Sequence, residues 1–337
     1  MKKVLRYNFL TGVLLFYPLI SFAQTTVFGG RGLMRVFSAE TVQPGSFNIH
    51  SNFSFFVTDE NQGPFLTKDY SFKIGLTYGI SPKLELTGQI VAYQDDQKHV
   101  WGPPGNTQVG FKLGLPFYTG GFKTAIRGFF IFPTAQETNV LFEPYSSDKV
   151  SWGLMGILTV DMTNTFPLFP LKAHLNVGYV DHNIGTLFGG EVTDQLLLGF
   201  GFKLPIRSVI FYTEYTGEIF YNINNIKFRN NSMRITPGIE FVGPFNLVLD
   251  FAVDIGLSRD LATYPFPLHE YADWKVIAGV SYQFLPQHKT SYSNTSKKRE
   301  PGTIAVEEVR EKRKRTREAL EEIKKKLEEE DKKPKNL

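Results

Sequence analysis

Six histidines and the absence of cysteine limit the chemistry that this 337-residue chain could perform. Nucleophilic catalysis needs a serine or cysteine within hydrogen-bond reach of a base, and a third group that orients the base. The sequence has no GxSxG turn, no HExxH pair and no glycine pattern typical of nucleotide binding. We therefore expect no catalytic residue, no metal site and no cofactor. The histidines are His50, His99, His174, His182, His269 and His288.

A second group of residues could act on a solute through charge rather than through a reaction. Charged residues alternate with leucine, phenylalanine, valine and isoleucine through the middle of the chain. Successive side chains of a strand point to opposite faces, so these charges would share the face opposite the apolar one. The set is Lys73, Lys112, Lys123, Arg127, Lys172, Lys203, Glu214, Glu218, Arg234, Glu240, Asp250, Asp254 and Lys275, with Glu85 as a further acid.

Extended strands would have to position these charges. The clearest is residues 246–257, where apolar residues at the odd positions alternate with Asp250 and Asp254. Pro237 predicts a β-bulge in the tenth strand, because proline cannot donate a ladder hydrogen bond. The period of two predicts strands at 46–58, 69–80, 83–93, 106–117, 122–132, 149–162, 171–182, 193–204, 207–221, 232–242, 245–258 and 273–285.

The connections between these strands alternate between short turns and long polar loops. Such alternation, with strands long enough to cross a bilayer, is typical of outer-membrane barrels with periplasmic turns and outer loops. The predicted fold is therefore all-β, an antiparallel transmembrane β-barrel of about 12 strands over residues 46–285. The alternative is a soluble β-sandwich, or two of them, although such sheets rarely place glycine and charge opposite unbroken apolar rows.

The end of the last strand, Val280-Ser-Tyr-Gln-Phe284, carries aromatic residues at 282 and 284. Over residues 24–286 the chain resembles a porin-like Gram-negative outer-membrane β-barrel protein. The resemblance implies that Tyr282 and Phe284 form the signal read by the barrel assembly machinery, and that the outer face contacts outer-membrane lipids. The chain continues past Phe284, so this signal would be internal.

The N-terminal residues have the composition of a bacterial secretory leader. Residues 1–23 combine early lysines with an apolar stretch and end in Ser21-Phe22-Ala23, which predicts a cleaved signal peptide. A retained membrane helix is the alternative. Residues 24–45 contain Gly29-Gly-Arg-Gly32 and are predicted either to enter the lumen as a small plug or to form a periplasmic lead-in.

The C-terminal residues are predicted to lie in the periplasm as a linker, 286–302, and a charged α-helix, 303–333. Glu308 with Lys312, and Glu321 with Lys325, have the spacing of supportive helical ion pairs. This tail is either a solvated helix or a contact for peptidoglycan or a periplasmic protein. The basic pI of 8.9 reflects the leader and the tail, so no nucleic-acid partner is expected.

The charged face would give the barrel interior two arcs. The basic arc comes from the fourth to eighth strands and the acidic arc from the ninth to eleventh. An open lumen would pass small solutes by passive diffusion and screen them by charge. A closed structural or adhesion barrel, acting through its outer loops or its tail, is the alternative, and an enzyme is the third hypothesis. Inward glycines, including Gly199 and Gly201, favour a cavity over a filled interior.

Overall fold

The structure is a computed structural model in which twelve antiparallel strands form a closed barrel. The strands are β1 (Phe47–Asp59), β2 (Leu66–Ser81), β3 (Leu84–Gln94), β4 (Thr107–Thr119), β5 (Phe122–Phe132), β6 (Ser151–Asp161), β7 (Lys172–Asp181), β8 (Gln195–Ile206), β9 (Val209–Phe220), β10 (Ser232–Val242), β11 (Leu247–Gly256) and β12 (Trp274–Phe284). Each strand pairs with its sequence neighbours, and β1 closes onto β12 with Phe47 opposite Phe284. The predicted barrel is confirmed.

The structure describes residues 24–59, 66–95, 102–119, 121–138, 140, 142–163, 170–182, 194–220, 228, 231–258 and 272–286. The predicted signal peptide, 1–23, and the predicted helix, 303–333, lie outside the described residues. So does all of the predicted linker after residue 286. Within the described ranges, no helix has the length and apolar character needed to cross a membrane.

The barrel carries its large apolar side chains on the outside. Leu154, Phe211 and Phe251 are 45 to 51% exposed, and comparable side chains occur at alternate positions of the other strands. Many polar and charged residues are buried on the opposite face. A soluble sandwich would place these faces the other way round, whereas an apolar outer band is what a lipid bilayer requires. The chain therefore folds as a barrel of the outer-membrane type, with short turns at the end where β1 begins and β12 ends.

The bulge predicted at Pro237 does not occur. Pro237 lies opposite Thr213 of β9 in an unbroken register. Towards β11, Ile235 pairs with Ile255 and Gly238 with Ala252, so no residue is inserted between them. Within the described parts of these two strands, the ladder skips the positions of Thr236 and Pro237. Pro237 has no N–H to donate to the ladder, and the strand tolerates this because the pairs on either side keep the same register.

Candidate functional site

Residues 24–45 form an irregular segment inside the barrel, which we call the inner segment. It folds back on itself through isolated bridges, and its first turn uses Gly29 and Gly30, whose φ angles are 77° and 85°. A Cβ at Gly30 would lie 2.8 Å from Oε1 of the wall residue Glu85. The apolar side chains of Leu33, Met34, Val36 and Phe37 are each at most 1% exposed.

Arg35 attaches the inner segment to the acidic arc. Its two terminal nitrogens donate to both carboxylate oxygens of Asp254, at 2.8 and 2.6 Å. The backbone N–H groups of Arg35 and Val36 donate to Oε2 of Glu214, at 2.9 and 3.0 Å. A bidentate arginine–carboxylate pair fixes orientation as well as distance. This contact therefore sets the position of the segment beside β9 and β11.

Glu40 attaches the same segment to the basic arc. Its Oε1 accepts hydrogen bonds from Lys123 at 2.6 Å and from Lys172 at 3.0 Å, and its Oε2 lies 3.0 Å from Arg31. Burial by itself would raise the pKa of Glu40, but the neighbouring positive charges outweigh burial and hold the pKa well below its usual range. Glu40 is therefore ionised at neutral pH.

Lys112 of the basic arc binds the backbone of the inner segment. Its Nζ donates to the carbonyl oxygens of Ser38 at 2.8 Å and Glu40 at 2.7 Å. The same nitrogen lies 2.8 Å from Oε1 of Glu85, and both side chains are fully buried. Glu85 also accepts the N–H of Val42 at 2.9 Å. A buried charge needs a partner and further hydrogen bonds, and the backbone of the segment supplies both.

Two neutral wall residues continue this attachment. Oδ1 of Asn176 accepts a hydrogen bond from the N–H of Phe37 at 2.6 Å, and Nδ2 of Asn176 donates to the carbonyl oxygen of Phe37 at 2.9 Å. The hydroxyl of Thr159 accepts the N–H of Ala39 at 2.8 Å. Side chains of the wall thus satisfy backbone groups that have no strand partner.

Two inward glycines make room for the inner segment rather than for open space. A Cβ at Gly199 would lie 3.2 Å from Cγ2 of Val36, and one at Gly201 would overlap Cδ1 of Leu33. The sequence predicted empty space beside these two glycines, but side chains of the inner segment fill it. Gly199 and Val36 also line the cavity that remains beside the segment.

A second segment enters the lumen from the loop between β5 and β6. Glu143 accepts hydrogen bonds from Lys73 at 2.8 Å and from Lys275 at 3.0 Å. Lys275 also pairs with Asp69 at 3.1 Å. Burial alone would raise the pKa of Glu143, but Lys275 and Lys73 lower it well below its usual range. Lys73 and Lys275 are therefore bound to this loop.

The other members of the predicted charge set take part in smaller contacts. Lys203 donates to Oε1 of Gln24 at 2.5 Å, and the hydroxyl of Tyr212 donates to Asp250 at 2.7 Å. Arg234 lies 3.8 Å from Glu218 and 3.9 Å from Asp254. Glu240 is 1% exposed. Tyr282 and Phe284 face outwards, 38 and 49% exposed, with ring centroids 4.6 Å apart.

Sequence reasoning missed the residues that bind the wall charges from inside the lumen. Arg31, Arg35 and Glu40 belong to a segment without periodicity, and Glu143 belongs to a predicted outer loop. The signal for the segment was its glycine turn together with its charges. Glu143 had no comparable signal, because an acidic residue in a polar loop is ordinarily solvated.

One serine–histidine contact lies near the outer end of the barrel. Ser151 Oγ is 3.2 Å from Nδ1 of His182, whose Nε2 lies 2.9 Å from Oε1 of Gln195. A glutamine can orient an imidazole, but it does not provide the negative charge that stabilises an imidazolium. His50 and His174 are buried, the latter with Nδ1 2.9 Å from the Thr159 hydroxyl. Across the described ranges, no three or more acidic or histidine residues form a metal-binding group.

A cavity of about 120 Å³ remains between the inner segment and the β5–β6 loop. Its apolar lining includes Phe37, Phe129, Ile131, Met155 and Leu197, and its polar lining includes Arg127, Arg35, Arg234, Glu218 and Asn176. Concave, mostly apolar spaces with a few polar groups are typical of small-molecule sites. This cavity is the candidate solute site.

Arg127 has an unusual setting in this cavity. Its guanidinium carbon lies 4.3 Å from the ring centroid of Phe37 and 4.4 Å from that of Phe129. Arg127 is 1% exposed, and its Nε and Nη2 have no hydrogen-bond partner among the described residues. Its ring contacts are of the cation–π type.

No protein-family profile matches the sequence, and a search of curated proteins found no significant match. Solved structures with a similar fold are outer-membrane barrels. An outer membrane channel from Pseudomonas putida F1 has 10% identity, a TM-score of 0.49, and covers 73% of this chain and 98% of its own. The NanC porin has 10% identity, a TM-score of 0.42, and coverages of 70% and 98%. The CymD monoaromatic hydrocarbon channel has 9% identity, a TM-score of 0.37, and coverages of 73% and 90%.

Proposed function

We propose that this chain is an outer-membrane channel for small solutes, whose lumen is closed by the inner segment and opens when that segment moves. The observation that carries the proposal is that one segment pairs with both arcs, through Arg35 to the acidic arc and Glu40 to the basic arc. Solutes would cross by passive diffusion while the segment is displaced. The wall charges would then line the opened path and screen solutes by charge.

The way the inner segment is attached supports movement. Among the described residues, one backbone-to-backbone hydrogen bond joins the segment to a strand. In it, the N–H of Gly45 donates to the carbonyl oxygen of Gly79 at 2.7 Å. Gly45 has a φ of 74°, a conformation that glycine adopts without strain. The other wall contacts use side chains, and water that enters the lumen when the segment leaves would hydrogen-bond to the same groups. The segment can therefore leave the wall about Gly45 without breaking a strand.

A reversible lock would test this movement, because the chain has no native cysteine. A Cβ at Gly199 would lie 3.2 Å from Cγ2 of Val36, which suits a disulfide between cysteines at these positions. The variant Val36→Cys/Gly199→Cys would be refolded, and its conductance recorded in a planar lipid bilayer. The single variant Gly199→Cys, exposed to the same oxidant and reductant, is the control.

We expect discrete openings from the wild type and from the reduced double variant, and none from the oxidised double variant. Equal conductance before and after oxidation, with the disulfide verified by mass, would show that the path does not need the segment to move. A wild type that inserts correctly but never conducts would instead support a closed structural or adhesion barrel.

A further inference from the structure

We propose that the lumen cavity is a binding site for a small aromatic carboxylate, and that Arg127 is the group that binds the carboxylate. The inference rests on the proposed function, since it names the class of solute that the channel would take. Three observations carry it: two buried guanidinium nitrogens without a hydrogen-bond partner, two phenyl rings beside the guanidinium, and a mostly apolar cavity that Arg127 lines.

The charge balance of the cavity leaves Arg127 without a counterion. Arg35 pairs with Asp254, and Arg234 lies near Glu218 and Asp254. Glu85, whose negative charge also acts on Arg127, already binds Lys112 at 2.8 Å. Among the described residues, no carboxylate lies within ion-pair distance of Arg127. A buried charge without a partner is costly, so an anionic ligand would be stabilised here more than a neutral one.

The unpartnered atoms of Arg127 also match a carboxylate in geometry. Nε and Nη2 lie on one edge of the guanidinium plane, and such a pair of donors can bind both oxygens of a carboxylate. The phenyl rings of Phe37 and Phe129 both pack against the guanidinium. Phe37 belongs to the inner segment, so the site is complete only while that segment is in place.

The size and lining of the cavity favour one aromatic ring. A cavity of about 150 Å³ binds benzene, and the volume of this one, about 120 Å³, is of the same order. Its lining includes further apolar side chains such as Ile131, Val180 and Leu197. A ring with one carboxylate would place its apolar body against these residues and its charge against Arg127.

The test measures binding of benzoate to the refolded full chain by calorimetry, with benzyl alcohol as the uncharged ring of similar size. Variants are Arg127→Met, which removes the charge, and Arg127→Lys, which keeps the charge but loses the paired donors. Arg207→Met, the same change in the exposed turn between β8 and β9, is the control.

We expect wild type and Arg207→Met to bind benzoate at least tenfold more tightly than benzyl alcohol. Arg127→Met should bind benzoate about 10- to 100-fold more weakly, as expected for lost hydrogen bonds to a charged group. Arg127→Lys should be intermediate. If Arg127→Met does not fold, as judged by heat-modifiable migration, the Arg127→Lys result decides.

Two results would overturn the assignment. One is benzoate binding that is equal in the wild type and the Arg127 variants, and the other is no preference of the wild type for benzoate over benzyl alcohol. Neither depends on channel opening, because calorimetry measures binding to the closed protein. Failure of the disulfide lock in the bilayer experiment would contradict the channel mechanism and leave the binding result intact.

Discussion

Arg35 and Glu40 lie on one short segment and bind different arcs of the barrel wall. Arg35 forms a bidentate pair with Asp254, and Glu40 binds Lys123 and Lys172. Each arc therefore receives from the segment the charge opposite to its own. This complementarity keeps these particular buried charges paired, as burial requires.

Glu40→Gln should weaken the attachment of the inner segment to the basic arc. The amide removes the negative charge shared by Lys123, Lys172 and Arg31, of which Lys172 keeps Asp161 as a partner. A hydrogen bond to a charged group contributes about 1.5–3 kcal/mol. We expect a lower free energy of unfolding in urea and more frequent channel openings. Asp148→Asn, which removes an exposed carboxylate in the β5–β6 loop, is the control and should change neither. Unchanged openings in Glu40→Gln would contradict a latch role for this residue.

Arg35→Met and Asp254→Asn should not have additive effects. Each single change breaks the same bidentate pair, so the double variant should lose less stability than the sum of the two single losses. Contacting pairs of this kind have coupling energies of about 0.5–3 kcal/mol. Urea unfolding of the four proteins measures the coupling. A coupling energy near zero would mean that the Arg35–Asp254 pair does not hold the inner segment.

The strands and their inward charges could be predicted from the sequence because a period of two assigns each residue to one face. Lys112 and Lys172 were predicted as inward charges by this rule alone, and the structure places both against the inner segment. The path of the inner segment could not be predicted, because it depends on contacts such as Arg35 with Asp254 that are distant in sequence. The same holds for Glu143, whose position follows from Lys73 and Lys275 on two separate strands.

The stability supplied by Glu40 should depend on pH in a defined direction. Its pKa is lowered in the folded protein, and its pKa in the unfolded chain is about 4.3. The contribution is therefore complete above about pH 5 and is lost progressively as pH falls below about 4, towards the folded pKa. The difference in unfolding free energy between wild type and Glu40→Gln should be constant from pH 8 to pH 5 and shrink at lower pH. A difference that instead grows towards low pH would contradict the assignment.

Tyr282 and Phe284 should affect assembly rather than conductance. Both side chains face outwards at the end of β12 where the short turns lie, and Phe284 lies opposite Phe47 at the closure of the barrel. If the assembly machinery reads them, Tyr282→Ala/Phe284→Ala should lower the amount of heat-modifiable protein in outer-membrane fractions several-fold. Trp274→Ala, an outward aromatic at the other end of the same strand and 40% exposed, is the matched control. A recognition signal would lie at one end of β12, so its loss should not be reproduced by Trp274→Ala. Equal losses of heat-modifiable protein in both variants would therefore indicate a general effect of removing outward aromatic surface and contradict the prediction.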